Sequence, residues 1–130
     1  AYVWVCKLHL STPRKVTKPA LAWWQGLPKG STSLTGLLRC PHIGWNELTI
    51  NRPHPMLENI QSGDEFYFVH SYYARPVDSN HVVGTTDYGD KTFCSVIARE
   101  NLFATQFHLE KSGALGLKLL GAFKHWDGTC

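Results

Sequence analysis

No stretch of this 130-residue chain approaches the ~18 to 20 consecutive apolar residues that a membrane span needs, so no membrane role is expected. The N-terminus lacks the charged, then apolar, then small-residue pattern of a secretory leader. C-x-x-C pairs are missing too: the four cysteines stand far apart at 6, 40, 94 and 130. That spacing argues against a zinc ribbon and against a dense disulfide framework, and it favours a reducing cytoplasm. Neither internal repeats nor low-complexity tracts occur. Charge of one sign is scarce: 13 basic against 10 acidic residues give a formal +3, with the excess in Lys7, Arg14, Lys15, Lys18 and Lys29. A face that tracked nucleic acid would show denser Lys and Arg interleaved with aromatics on one element, so a solvated basic face is the plainer reading.

A chain of this length, 43% hydrophobic and 18% charged, suits one globular domain around a single core. From 1 to about 40 it reads as irregular. The short apolar run Tyr2 to Cys6 predicts a strand; basic and proline-containing residues, Trp23-Trp24 and a Gly/Ser/Thr-rich stretch at 26 to 36 predict loop. Beyond Cys40 the punctuation sharpens. Pro41, Gly44, Pro53 and Pro55 bracket a short strand at 47 to 50, and Ser62-Gly63-Asp64 makes a turn before a buried strand from Phe66 to Tyr73. Strands at 81 to 86, 92 to 98 and 102 to 108, joined by Tyr88-Gly89-Asp90 and Arg99-Glu100-Asn101, suit an antiparallel meander. Ser112 then caps a helix whose Leu115, Leu119, Ala122, Phe123 and Trp126 form one apolar stripe against the sheet.

The residues with most chemical content are Thr105 to Ser112, between a strand end and a helix start. His108 and Glu110 stand two apart there, so a carboxylate can orient and charge-stabilise an imidazole. Taken alone, such a pair is more often a satisfied surface contact than a catalytic one.

Phe107-His108-Leu109-Glu110-Lys111-Ser112 resembles the Phe-His-Pro-Glu-Lys-Ser signature of class I, triad-type glutamine amidotransferases. Pro41 to Asn46 followed by Phe66 to Tyr72 is similar to the pair of motifs that distinguishes the glutaminase subunit of imidazole glycerol phosphate synthase. Asp87-Tyr88-Gly89, Asn101, and Gly116 to Leu120 with Phe123 continue the likeness, which covers residues 41 to 126 in order and leaves 1 to 40 divergent. The resemblance implies a single partial amidotransferase domain of α/β class, flavodoxin-like, with a mixed sheet, an antiparallel meander and a C-terminal helix. It also implies a subunit that hydrolyses glutamine and passes ammonia to a synthase (cyclase) partner, without cofactor or metal. His108 would be the general base and Glu110 its orienting carboxylate. Val69, His70, Ser71 and Tyr72 would lie along bound glutamine, and Pro41, His42, Gly44, Trp45 and Asn46 would face the synthase. Against those roles stand ordinary core packing for Trp45 and the 66 to 72 aromatics, and structural hydrogen bonding for His42 and His70.

The family places its nucleophile on a Gly-x-Cys-x-Gly turn, and the candidate here is Cys6. Trp4 and Leu8 replace the glycines and Leu10 a usual glutamine, although an elbow needs torsions that residues with a Cβ avoid. Pro13 and Pro19 leave little room for the helix whose N-terminus would lower the thiol pKa. Cys40, Cys94 and Cys130 have no motif around them and read as buried hydrophobes or loop thiols. Leu109 in place of proline is expected to loosen the loop that holds His108 and Glu110. No Pro-Gly-x-Gly turn for an oxyanion hole precedes Cys6, and without its donors the tetrahedral intermediate would lose several kcal/mol of stabilisation.

Three readings stay open: a working glutaminase, a non-catalytic module that binds a partner, and an amidotransferase subunit for surface polysaccharide sugars. The chain opens on Ala1 rather than Met, as in a processed form or a piece of a longer reading frame. Missing first strands would leave a sheet edge and an apolar face uncovered, which predicts self-association. Light scattering should then report a species larger than one chain at high concentration, and a strict monomer would refute it.

Overall fold

The computed structural model describes residues 41–129 in full and, by backbone alone, 3–6 and 24–26. The expectations for Trp23, for residues 27 to 36, for the N-terminal basic cluster and for Cys40 and Cys130 lie outside the described residues, as does the Cys6 side chain, whereas 24 to 26, expected as loop, pair with Tyr72–Ala74 as a strand. Nine strands and one α-helix, besides three single-turn 3-10 helices, follow in chain order among them: β1 Val3–Cys6, β2 Trp24–Gly26, β3 His42–Glu47, β4 Thr49–Ile50, β5 Glu65–His70, β6 Tyr72–Ala74, β7 Val82–Tyr88, β8 Lys91–Arg99, β9 Leu102–Thr105 and α1 Gly113–His125. No described helix is long and apolar enough to cross a membrane.

The predicted meander is β7-β8-β9. Tyr88 pairs with Lys91, leaving Gly89-Asp90 as a two-residue turn; Gly89 takes φ 63, the Gly-first geometry of a type II′ hairpin. β8 is central. It pairs with β7 along one side and with β9 and β6 along the other, and Phe93 to Ala98 are all buried. Seven strands join in this sheet, with β1 beyond β9, β2 beyond β6 and β4 beyond β7, while β3 and β5 form a separate antiparallel pair. Every pairing among the described residues is antiparallel.

Three boundaries differ from expectation, each for a local reason. The strand bracketed at 47 to 50 starts earlier, as the six-residue β3 His42–Glu47, because this segment can pair residue for residue with β5 from His42↔His70 to Glu47↔Glu65. The long aromatic strand breaks at Ser71, so that β5 serves the two-stranded sheet and β6 the larger one. β9 stops at Thr105, and the buried Gln106 and Phe107 lead on to the half-buried His108.

The core lies between the sheets and α1. Phe66 and Phe68 occupy the inward positions of β5, as period-2 alternation requires, and meet Phe103, Phe107, Leu48, Met56 and Val96. Leu119 and Trp126 close the cluster from α1, with Leu115, Ala122 and Phe123 partly buried beside them. Each fully buried Leu or Phe contributes about 1.5–3 kcal/mol of apolar transfer.

Gly116 sets how closely α1 approaches the preceding turn. A Cβ there would lie 1.9 Å from the Leu109 carbonyl oxygen. Helix propensity alone would make Gly116→Ala stabilising by about 1 kcal/mol, whereas backbone overlap predicts destabilisation of about 1–3 kcal/mol. Urea unfolding reads the sign, and a gain in stability would contradict this packing.

Candidate active site

β5 has two edges. Its outer edge pairs with β3, and alternate residues of an antiparallel strand turn their backbone groups to the opposite side. Tyr67 uses that opposite side to hold the connection after β9. Its carbonyl accepts from the His108 amide at 2.9 Å, and its own amide donates to the Ser112 hydroxyl oxygen at 3.1 Å. The Ser112 hydroxyl in turn donates to the His108 carbonyl at 2.6 Å. Ser112 stands at the helix start as expected, yet its side chain does not cap the helix; it is committed to the loop instead.

Beneath His108 the connection is anchored from the other sheet. The Gln106 amide donates to the Ser95 carbonyl of β8 at 2.8 Å, and the buried Phe107 ring stacks on Phe66 with centroids 4.1 Å apart. Leu109 is buried in the core, so the substitution expected to loosen the loop anchors it through its side chain. On this mount the His108 Nδ1 lies 2.8 Å from Glu110 Oε1. The imidazole is 17% exposed and the carboxylate 58%, and the hydrogen bond to His108 holds Glu110 below the usual carboxylate range. With Nδ1–H donating to the carboxylate, Nε2 is left as the nitrogen that takes a proton from a nucleophile.

The nucleophile candidate is placed by its backbone alone. β1 runs antiparallel to β9 with Val3 opposite Thr105 and Cys6 opposite Leu102. The Cys6 backbone therefore sits opposite the start of β9, about 10 Å along the ladder from the end that leads to His108. Cys94, whose side chain is described, is no substitute, because burial pushes its thiol up to about 12. Among the described residues no three metal-binding side chains come together.

The other expected site residues fall on two faces. Trp45 and Ile43, on β3, are 50% and 59% exposed, and Trp45 meets the Tyr67 ring edge-on at 5.8 Å with Lys111 Nζ 5.7 Å from that ring. Core packing thus claims Phe66 and Phe68 but not Trp45 or the exposed Tyr72. Pro41 is exposed, Gly44 pairs with Phe68, and Val69 and Ser71 are half-buried at the end of β5. His42 and His70 are buried and bonded to each other at 3.0 Å, with Asn46 and the Tyr72 carbonyl at the two ends. Tyr67 and Ser112 escaped sequence reasoning as positioning residues. Only the four-residue spacing of Ser112 from His108 hinted at it.

Ser112→Ala removes an acceptor from the Tyr67 amide and a donor from the His108 carbonyl. The expected loss is about 1–3 kcal/mol in denaturant unfolding, with faster hydrogen exchange at the Tyr67 amide. Unchanged exchange there would show that the hydroxyl does not hold the loop.

The family model for class-I glutamine amidotransferases matches residues 33–123. Among similar proteins are the imidazole glycerol phosphate synthase subunit HisH of Acinetobacter baylyi, 49% identical over 84% of this chain and 53% of its own length, and that of Halobacterium salinarum, 50% identical over 75% and 44%. The protein of the same name from Dehalococcoides mccartyi is 52% identical over 66% and 42%. The chain thus spans about half the length of the curated relatives it matches. With the His-x-Glu pair mounted on β5 and the match running through the sheet and helix that carry it, the chain belongs to the class-I glutamine amidotransferase family.

Proposed function

We propose that this chain is the base-and-partner half of a glutaminase subunit of the kind that supplies ammonia to imidazole glycerol phosphate synthase in histidine biosynthesis. The observation that carries the reading is the 2.8 Å His108–Glu110 contact held by Tyr67 and Ser112. The relatives named for that synthase point the same way. In this reading Glu110 keeps Nδ1 protonated, Nε2 of His108 accepts the proton of an attacking thiol, and the thiolate adds to the side-chain amide of glutamine. Val69, His70, Ser71 and Tyr72 border the substrate, whereas Pro41 to Asn46, with exposed Trp45, meet a cyclase subunit. The proposed setting is the cytoplasm.

The Cys6 register favours a second reading beside it, a module that binds its partner without turnover. Little or no glutamate release is expected from the chain alone, because β1 holds Cys6 away from His108. Binding to a cyclase subunit should persist and weaken at least tenfold in Trp45→Ala. A glutaminase assay with and without that subunit, on the chain and on its Cys6→Ala and His108→Ala variants, separates the cases. Release abolished by both substitutions would reject the non-catalytic reading. The absence of both release and cyclase binding would overturn the proposal.

A further inference from the structure

His108 joins two planar peptide units, and the direction of its ring follows from how both are held. The unit after it is held through the His108 carbonyl, which accepts from the Ser112 hydroxyl at 2.6 Å and from the Lys111 amide at 3.2 Å. The unit before it carries the His108 amide, bonded to the Tyr67 carbonyl at 2.9 Å, and at its other end the Phe107 carbonyl. A peptide unit can rotate about the line joining its Cα atoms. With one end held, that rotation breaks one hydrogen bond; with both ends held, it breaks two. Here the second end is held by a side chain: the Thr105 hydroxyl donates to the Phe107 oxygen at 3.0 Å.

Thr105 is a rigid mount for that donor. It is the last residue of β9 and pairs on both edges, with Val96 of β8 and with Val3 of β1. Its β-branched side chain has few χ1 choices and is fully buried. No other partner for the hydroxyl occurs among the described residues. The neighbouring Gln106 does not share the task. Its backbone amide reaches back to the Ser95 carbonyl, where the β7–β8 register skips a residue, while its fully buried side-chain amide has no hydrogen-bond partner among the described residues.

We propose that Thr105 is a positioning residue for the imidazole: its hydroxyl fixes the 107–108 peptide unit and so keeps the His108 ring aimed at Glu110. The Glu110 carboxylate is exposed, and an exposed ion pair is too weak to orient a backbone by itself. The aim must therefore come from the mount. That His108 is a base for glutamine cleavage rests on the proposed function; the aiming of its ring does not.

Nitrogen-15 NMR of His108 in mildly alkaline buffer reads which ring nitrogen carries the proton, with no turnover required. The unmodified chain should show the Nδ1–H form, set by the contact with Glu110; an Nε2–H form there would overturn the proposal. Thr105→Val keeps the shape and removes the hydroxyl. The ratio of Nδ1–H to Nε2–H should then fall about tenfold and the His108 amide should exchange about tenfold faster, the scale of one hydrogen bond, while the β8 amides keep their rates. Thr105→Ser retains the hydroxyl and should restore both readings. An unchanged tautomer in Thr105→Val, or a Thr105→Ser chain that behaves like Thr105→Val, would equally overturn it. If Thr105→Val fails to fold, Thr105→Ala removes the same hydroxyl and decides in its place. The two readings fail separately: absent glutaminase activity with a Thr105-dependent tautomer removes only the proposed function, and His108-dependent activity with a tautomer indifferent to Thr105 removes only this inference.

Discussion

The backbone of Tyr67 ties β5 to the connection that leaves the seven-stranded sheet. Its strand belongs to the two-stranded sheet, yet its amide and carbonyl are spent on Ser112 and His108, which belong to the connection leaving the seven-stranded sheet. Backbone groups in a half-buried strand cannot be left open without losing on the order of a hydrogen bond each. The imidazole therefore has a fixed height above β5, and Glu110 needs only to reach it. An exposed ion pair contributes little to stability. Here it sets a tautomer on a support that the core has already made rigid.

Much of this was legible in residue order. The turn at Gly89, the alternation of Phe66 and Phe68, and the apolar stripe ending at Trp126 are local signals, and each element appears close to where its pattern puts it. The break at Ser71 and the length of β3 were not, because both depend on which distant strand supplies the ladder: β3 exists where β5 lies opposite. For the site, the His108–Glu110 pair could be read from a two-residue spacing. The separation of Cys6 from it could not, since a strand's direction relative to its neighbour leaves no local mark. The inward phase of His70 on β5, after two phenylalanines, was the one clue that this histidine would be buried.

Leu109 shows how a departure from a family pattern can be absorbed. Proline would stiffen the backbone between His108 and Glu110; leucine restrains the same turn from within, by burial in the core. The restraint then depends on α1, whose Gly116 lies against the Leu109 carbonyl. Loop rigidity and helix docking become one property rather than two.

The partners of β8 carry a kinetic consequence. β7 and β9 reach it through two-residue turns, whereas β1 reaches β9 across almost the whole chain. Short loops close at less entropic expense than long ones, so the central hairpins form a low-contact-order nucleus and β1 is added late. The strand that ends at Cys6 is thus the one whose arrival the rest of the sheet does not wait for.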